Sequence, residues 1–314
     1  MNQTSLKKFA YLSIAAALMT IGLKFGAYVL TGSMGLFSDA LESCVNLIAA
    51  VIALIMITIS EIPADKEHEY GHTKAEYFSS AIEGALILVA AFSIIWSAIP
   101  RIIHPQPLET VGIGLLISTG ASAINLAVSL VLIKNGKKRH SLLLEADGKH
   151  LMTDVWTSVG VIVGIGLVKL TGQIILDPII AVLVALNIVW TGVQLLRRSG
   201  NGLMDSVISN DEQKLITDFL DAQKNKGIEY HSLMTRQAGQ RIFISLHLLV
   251  PGVWSVQQGH DLSDYIEEYI ENLFEGPVTC STHIEPIEDP ASLNDIGIYR
   301  VKKNNCNTGN NNPT

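Results

Sequence analysis

Long apolar runs separated by short polar stretches fill the first two thirds of the chain. Six runs each reach the ~20 residues that an α-helix needs to cross about 30 Å of hydrocarbon. They cover residues 9–30, 34–59, 77–99, 109–133, 142–168 and 175–196. We interpret the first run as a retained helix rather than a signal peptide, because it is long and lacks a small-residue cleavage site before a soluble start. The pattern predicts an all-α, six-helix transmembrane bundle.

The pattern changes after residue 205, where short periodic segments replace the long apolar runs. Helical spacing covers residues 211–226 and 256–274, and the sequence predicts strands at 229–237, 241–250 and 278–285. The order αββαβ predicts a small α+β domain, ferredoxin-like, with its helices on one face of the sheet. The predicted division is 1–8 as the N-terminal segment, 9–205 as the transmembrane domain, 206–290 as the α+β domain and 291–314 as a disordered tail.

Composition and charge support the membrane class. The chain is 48% hydrophobic and 16% charged, with a mean hydropathy of +0.35. Ten basic residues lie on one side of the six runs and two, Arg101 and Lys169, on the other. The positive-inside rule therefore predicts that both termini and the α+β domain are cytoplasmic. A net charge of −7 disfavours a nucleic-acid partner, and three cysteines without a CxxC pair disfavour a disulfide framework.

Two of the apolar runs carry polar residues at matching spacing. The second contains D-x-x-E-x-x-x-N and the fifth D-x-x-H-x-x-x-D, so each helix presents two ligand-type side chains one turn apart. At 1.5 Å per residue, both pairs lie roughly 14–15 Å into the bilayer, near its midplane. The pattern predicts a divalent-metal site formed by Glu42, Asn46, His150 and Asp154, with Asp39 and Asp147 lining water-filled approaches. The alternative is that these residues only form hydrogen bonds between helices, which is the usual role of a single Asn or His.

Two further groups of ligand-type residues lie outside the apolar runs. The loop after the second run spaces Asp65, His68 and His72 as D-x-x-H-x-x-x-H, although an exposed hydrophilic loop also explains any one of these histidines. The α+β domain holds four of the nine histidines and a nearby carboxylate, namely His231, His247, His260, His283 and Glu285. Imidazole suits zinc-like ions, so this concentration predicts metal binding, with scattered surface histidines as the alternative.

Several stretches make the chain resemble the cation diffusion facilitator family of divalent-metal transporters. Those in the transmembrane part are GSMGLFSDALESCVN, PADKEHEYGHTKAE, LLLEADGKHLMTDVWTS and LDPIIAVLVA, and the resemblance extends from residue 9 to about residue 290. It implies that Glu42, Asn46, His150 and Asp154 form the transport site and that the 65–72 loop forms an accessory metal site. The part of the transport site on the second run departs from the family, which usually has Asp or His at position 42 and Asp at position 46.

The resemblance also implies partners and a direction of transport. It implies a homodimer in a lipid bilayer, here the bacterial inner membrane, that exports a divalent cation in exchange for protons. Lys74 and Asp205 would form an inter-subunit salt bridge, and the histidines of the α+β domain with Glu285 would bind two metals at the dimer interface. The resemblance is to the bacterial ferrous-iron and zinc efflux type. We therefore expect the chain to use Zn²⁺ as substrate and regulator, with Fe²⁺, Mn²⁺, Co²⁺ or Cd²⁺ as alternatives.

Two other functions compete with transport. A membrane-tethered metal sensor would explain the histidines of the α+β domain but would leave the polar residues of the second and fifth runs without a role. A membrane-embedded metallopeptidase needs a base beside the metal, as in HExxH, and the one match in the sequence, HEYGH at residues 68–72, lies in the hydrophilic loop rather than within an apolar run. We therefore expect a transporter and not an enzyme.

Overall fold

The structure, a computed structural model, describes residues 6–31, 34–104, 112–224, 227–293, 295–296 and 299–300. The chain divides into two compact units, and the main boundary between them falls after Asp205. The first unit is helical and the second is an α+β domain.

Six long helices form the first unit within the described residues. Their bounds are α1 Lys7–Thr31, α2 Met34–Ser60, α3 Ala75–Ile103, α4 Gly112–Lys138, α5 Leu142–Thr171 and α6 Leu176–Leu203. Three described stretches, Lys7–Val29, Ala75–Ile103 and Pro178–Leu203, are apolar and long enough to cross a membrane. Each helix matches one of the apolar runs, so the predicted six-helix bundle is confirmed.

Helix α5, which carries half of the predicted transport site, is defined at both ends by its sequence. Ser141 adopts an extended conformation, and its side chain accepts a hydrogen bond from the backbone N–H of Leu144 at 3.3 Å. At the other end, Gly172 ends the helix at φ +73°, a left-handed conformation that glycine adopts without steric cost. These caps fix which residues of α5 lie at mid-helix.

Small residues bring the helices of the first unit close together. Helix α3 packs against α6 and α4 packs against α5, while α1 contacts both α2 and α4. At Gly192 of α6, a Cβ atom would lie 3.2 Å from the carbonyl oxygen of Gly84 in α3. At Gly148 of α5, a Cβ atom would lie 2.8 Å from Ile133 Cγ1 in α4. Close helix packing through small residues is typical of membrane proteins, where lipid provides no hydrophobic force between helices.

The second unit has the predicted αββαβ order, which is confirmed. It consists of α7 Asn210–Gln223, β1 Glu229–Ala238, β2 Arg241–Val250, α8 Val256–Asn272 and β3 Val278–Pro286. The strand order is β1-β2-β3, and β2 pairs with β3 in parallel with His247 opposite His283. The alternating apolar residues of β2 are buried together with the apolar faces of α7 and α8. The residues that alternate with them along β2 lie on the other face of the sheet, where the histidines are.

Regular structure extends past the α+β domain into the stretch interpreted as a disordered tail. Pro290–Leu293 forms a short 3-10 helix, and strands β4 Asp295–Ile296 and β5 Tyr299–Arg300 pair antiparallel. The hydroxyl of Ser292 donates to the carbonyl oxygen of Pro286 at 2.9 Å, which holds the 3-10 helix against the end of β3. The interpretation of 291–314 as disordered therefore needs correction at 291–293, 295–296 and 299–300, and the rest of this stretch lies outside the described residues.

The close contact at Gly148 gives a test of the helix packing. Gly148→Ala places a methyl group against Ile133, whose backbone nitrogen lies 3.0 Å from the added Cβ, so α4 and α5 must separate. We expect a loss of about 1–3 kcal/mol in the free energy of unfolding, as for other overpacked cores. Gly120→Ala is the matched control, because a Cβ there meets nothing within 4 Å. Equal thermal unfolding midpoints for the two variants in detergent would contradict this packing.

Candidate metal sites

Helices α2 and α5 are joined by a buried chain of hydrogen bonds among three residues of the predicted transport site. Asn46 Nδ2 donates to Asp154 Oδ2 at 2.5 Å, and His150 Nε2 lies 2.7 Å from Asn46 Oδ1. All three side chains are buried. His150 and Asp154 are one helical turn apart on α5, so both reach Asn46 from the same face. The structure thus brings together three of the four residues that the spacing predicts.

The other residues predicted on α2 lie outside the described side chains. Glu42 and Asp39 belong to the helical stretch Met34–Ser60, but the structure describes only their backbone. Their roles as transport ligand and as lining of the outer approach therefore stay predictions.

Asp147, predicted to line the inner approach, is buried. It is only 4% exposed, and its carboxylate accepts a hydrogen bond from the hydroxyl of Ser13 in α1 at 3.0 Å. In this conformation α1 covers the carboxylate, and the role of Asp147 in an inner approach stays a prediction. The sequence pattern gave no sign of this contact, since Ser13 lies in a separate apolar run.

Two buried residues near this cluster were missed by the sequence analysis. Asn125 of α4 donates through Nδ2 to Asp154 Oδ2 at 3.2 Å, so Asp154 accepts hydrogen bonds from two amides. Glu83 of α3 places Oε2 3.7 Å from His150 Nδ1. Glu83 is the one acidic residue of the run 77–99 and Asn125 the one amide of the run 109–133, which is the signal that could have identified them.

The loop residues Asp65, His68 and His72 lie close together. One oxygen of Asp65 lies 3.5 Å from His68 Nδ1, and the other lies 3.5 Å from His72 Nε2. The backbone N–H of His68 donates to Asp65 at 2.7 Å and holds the pKa of this carboxyl below its usual value. One ligand atom from each residue lies within 4.8 Å of the others, which fits three positions of a tetrahedral metal with a fourth left open.

Lys74 and Asp205, predicted to pair between subunits, pair within one chain. Lys74 Nζ lies 2.8 Å from Asp205 Oδ1, and it also donates to the carbonyl oxygen of Leu203 at 3.4 Å. The pair connects the start of α3 to the segment just after α6. An inter-subunit form of this salt bridge stays a prediction.

In the α+β domain, Glu285 lies at the centre of three histidines. Its carboxylate oxygens lie 2.9 Å from His231 Nε2, 3.3 Å from His247 Nδ1 and 3.5 Å from His283 Nε2. The parallel register of β2 and β3 places His247 beside His283, and β1 supplies His231 from the other side. Ligand atoms of His231, His247 and Glu285 lie within 4.8 Å of one another, so these residues fit a zinc-like ion.

His260 does not join this cluster within one chain. It is on α8, 60% exposed at its side chain, and its Nε2 lies 3.3 Å from Asp264 Oδ2 one turn along the same helix. His260 is separated from the cluster because α8 packs against the sheet through other residues, of which Gly259, Ile266 and Ile270 are buried. Burial raises the pKa of the Cys280 thiol to about 12, so this thiol is protonated at neutral pH when no metal is bound.

Comparison with known families accounts for almost the entire chain. Residues 10–204 match the cation efflux transmembrane domain, and residues 208–287 match the cytoplasmic domain of cation efflux proteins. The two matched ranges coincide with the two structural units.

Similar proteins match along nearly their full length. An uncharacterised transporter of Synechocystis sp. is 49% identical over 286 residues, which cover 91% of this chain and 92% of the relative. The cation-efflux pump FieF of Shewanella oneidensis is 29% identical over 293 residues, covering 92% and 98%. FieF of Klebsiella pneumoniae is 28% identical over 280 residues, covering 88% and 92%.

The central position of Glu285 predicts the effect of removing its charge. Glu285→Gln should weaken zinc binding at the histidine cluster by at least about tenfold, because losing even an outer partner of a metal ligand costs 10–100-fold. The measurement is zinc titration calorimetry on the purified full-length protein.

Asp264→Asn is the matched control, since this exposed carboxylate contacts only His260 among the cluster histidines. It should leave the titration unchanged. A Glu285→Gln titration that matches both the control and the unmodified protein would show that the cluster binds no zinc through this carboxylate.

Proposed function

This chain belongs to the cation efflux family, and on that premise we propose that it exports zinc from the cytoplasm in exchange for protons. The protein is an integral membrane cation-efflux transporter, as both matched domains and the FieF relatives indicate. The relatives are transporters rather than enzymes. The choice of zinc, the exchange for protons and the orientation in the membrane are our proposals.

The observation that carries this function is the buried group of Asn46, His150 and Asp154. Polar side chains are costly inside hydrocarbon and mark ion pathways when they converge between helices. An imidazole, a carboxylate and an amide oxygen are all ligand types for a divalent ion. They come from two different helices, α2 and α5, so relative movement of these helices would open or close the group toward either side of the membrane.

The ligand types support zinc as the first choice. His150 provides the nitrogen donor that zinc binds well, and the histidine cluster of the α+β domain is suited to the same ion. Asn46 contributes a neutral, hard oxygen where the family usually has Asp. This donor set is less exclusive for zinc, and it also suits Fe²⁺, Mn²⁺, Co²⁺ or Cd²⁺.

Exchange for protons is consistent with the chemistry of the ligands. Imidazole and carboxylate bind a metal only when deprotonated, so binding of the cation and binding of protons exclude each other at the same groups. A proton gradient directed into the cell would then drive the cation outward. The basic loops support a bacterial inner-membrane orientation with both termini in the cytoplasm.

The α+β domain is proposed to regulate transport as part of a homodimer. Its cluster of His231, His247, His283 and Glu285 would bind the same ion that is exported, and so would report its cytoplasmic concentration. This cluster is also the observation that favours the second candidate function, a membrane-tethered metal sensor without transport. Uptake of zinc into sealed inside-out vesicles by the unmodified protein separates the two.

Asp154→Ala should abolish zinc transport while the protein still folds and inserts. Asp154 provides the carboxylate of the buried group. Its removal takes away a charge that is costly in hydrocarbon but also the acceptor of two amide hydrogen bonds, so we expect a lower stability without loss of folding or insertion. The measurement is zinc uptake into proteoliposomes, with size-exclusion chromatography to confirm the folded protein.

Ser158→Ala, one turn further along α5, is the control and should transport at the unmodified rate. Ser158 is bonded to Ser122 at 2.6 Å and does not contact the group. Full transport by Asp154→Ala would refute the proposed transport site.

Asn46→Asp should shift selectivity toward zinc. It replaces a neutral oxygen donor by a charged one, which strengthens the attraction for zinc at the position where the family usually has Asp. The assay is competition in vesicles between zinc and iron or manganese.

Asn125→Asp is the control, because it adds the same charge on α4, on another side of Asp154. An equal shift in both variants would show that added negative charge, and not coordination by residue 46, sets selectivity. No shift in Asn46→Asp would show that Asn46 is not a ligand.

A further inference from the structure

Glu83 is a carboxylate enclosed in the first unit whose contacts are incomplete. It lies on α3, is 1% exposed, and its Oε2 has no hydrogen-bond partner among the described residues. His150 Nδ1 lies 3.7 Å from this oxygen and is also buried without a hydrogen-bond partner among the described residues. Buried polar atoms are nearly always satisfied, so two facing unsatisfied atoms require an explanation.

The hydrogen-bond chain through Asn46 fixes which atom of His150 faces Glu83. Asn46 donates its amide N–H to Asp154, so its Oδ1 must be the atom that faces His150. Nε2 of His150 therefore carries the proton and donates it to Asn46. Nδ1 is left with a free lone pair, which is the form in which imidazole binds a metal.

The distance between the two unsatisfied atoms fits a metal ion better than a hydrogen bond. A separation of 3.7 Å is too long for a hydrogen bond between nitrogen and oxygen. A divalent ion bound at about 2.1 Å from each atom holds them roughly 3.4 Å apart at a tetrahedral angle. Two electron-rich atoms at this distance, with no donor between them, are arranged as two ligands of one cation.

The charge of the transport site leads to the same assignment. Asn46 is neutral, whereas the family usually has a carboxylate at this position of α2. Glu83 supplies a buried carboxyl group from α3, on the opposite side of His150 from Asn46. The carboxyl group missing from α2 is therefore present on a neighbouring helix.

We propose that Glu83 is a direct ligand of the exported cation at a second position, on the Nδ1 side of His150 and distinct from the position that Asn46 and Asp154 form on the Nε2 side, and that α3 thus contributes to the transport path. This inference rests on the proposed function. Binding of the cation between Glu83 and His150 Nδ1 would link α3 to α5, two helices that already pack against each other. Asn46 then has a second role, since it orients the imidazole toward Glu83.

The test measures the zinc concentration at half-maximal transport by the full-length protein in proteoliposomes. Glu83→Gln should raise this concentration at least about tenfold, because even outer partners of metal ligands contribute 10–100-fold. Glu83→Asp keeps a carboxylate at this position of α3 and should show a smaller loss than Glu83→Gln. Glu76→Gln is the matched control on α3. Glu76 is equally buried, but its carboxylate accepts a hydrogen bond from Ser141 at 2.5 Å, and it should show no change.

A zinc dependence of Glu83→Gln equal to that of the unmodified protein would overturn the proposal. So would a greater loss in Glu83→Asp than in Glu83→Gln, because a structural role depends on the side-chain length, which Gln keeps, rather than on the carboxylate. If Glu83→Gln does not fold, the visible absorption of bound Co²⁺ in Glu83→Ala decides, measured with Asp65→Ala, His247→Ala and His283→Ala to remove the other two sites. A spectrum identical to that of the same protein with Glu83 intact excludes Glu83 as a ligand. Failure of the proposed function would give a different result, because the unmodified protein would then transport no zinc at all.

Discussion

The requirement that buried polar groups find partners inside the membrane governs the first unit. Asn46 meets it because an amide both donates and accepts, and so it connects the imidazole of His150 to the carboxylate of Asp154. A carboxylate at position 46 would face Asp154 with a like charge unless a cation lay between them. The amide therefore keeps α2 and α5 together when no cation is bound. The same requirement leaves Glu83 and His150 Nδ1 as the pair that a cation would complete.

Much of this arrangement is encoded locally in the sequence. Lengths of the apolar runs predict the six helices, and the alternation in β2 predicts the sheet, because both depend only on neighbouring residues. The spacing on α2 and α5 likewise predicts that Asn46, His150 and Asp154 meet, since each pair shares a helical face and a membrane depth. Glu83 and Asn125 have no second ligand-type residue one helical turn away on their own helices. Their positions depend on the rotation of α3 and α4, which only the packing of the bundle determines.

The positions of Asp147 and His260, which the sequence did not predict, have similar causes. Asp147 lies under α1 because Ser13 contacts it, and no local pattern relates residues 13 and 147. His260 remains apart from the other three histidines because α8 uses its opposite face for packing. In the α+β domain, by contrast, the register of β2 and β3 alone brings His247, His283 and Glu285 together. Histidines on adjacent strands were thus predictable as a group, whereas a histidine on a helix was not.

The central claim is that the exported cation binds in the first unit through one imidazole and otherwise through oxygen. X-ray absorption at the zinc edge tests it on full-length protein in which Asp65→Ala, His247→Ala and His283→Ala remove the other two sites. The account predicts that zinc is retained with a single imidazole and an otherwise oxygen shell at about 2.0–2.2 Å. Two or more imidazoles, a sulfur ligand near about 2.3 Å, or no retained zinc would contradict it.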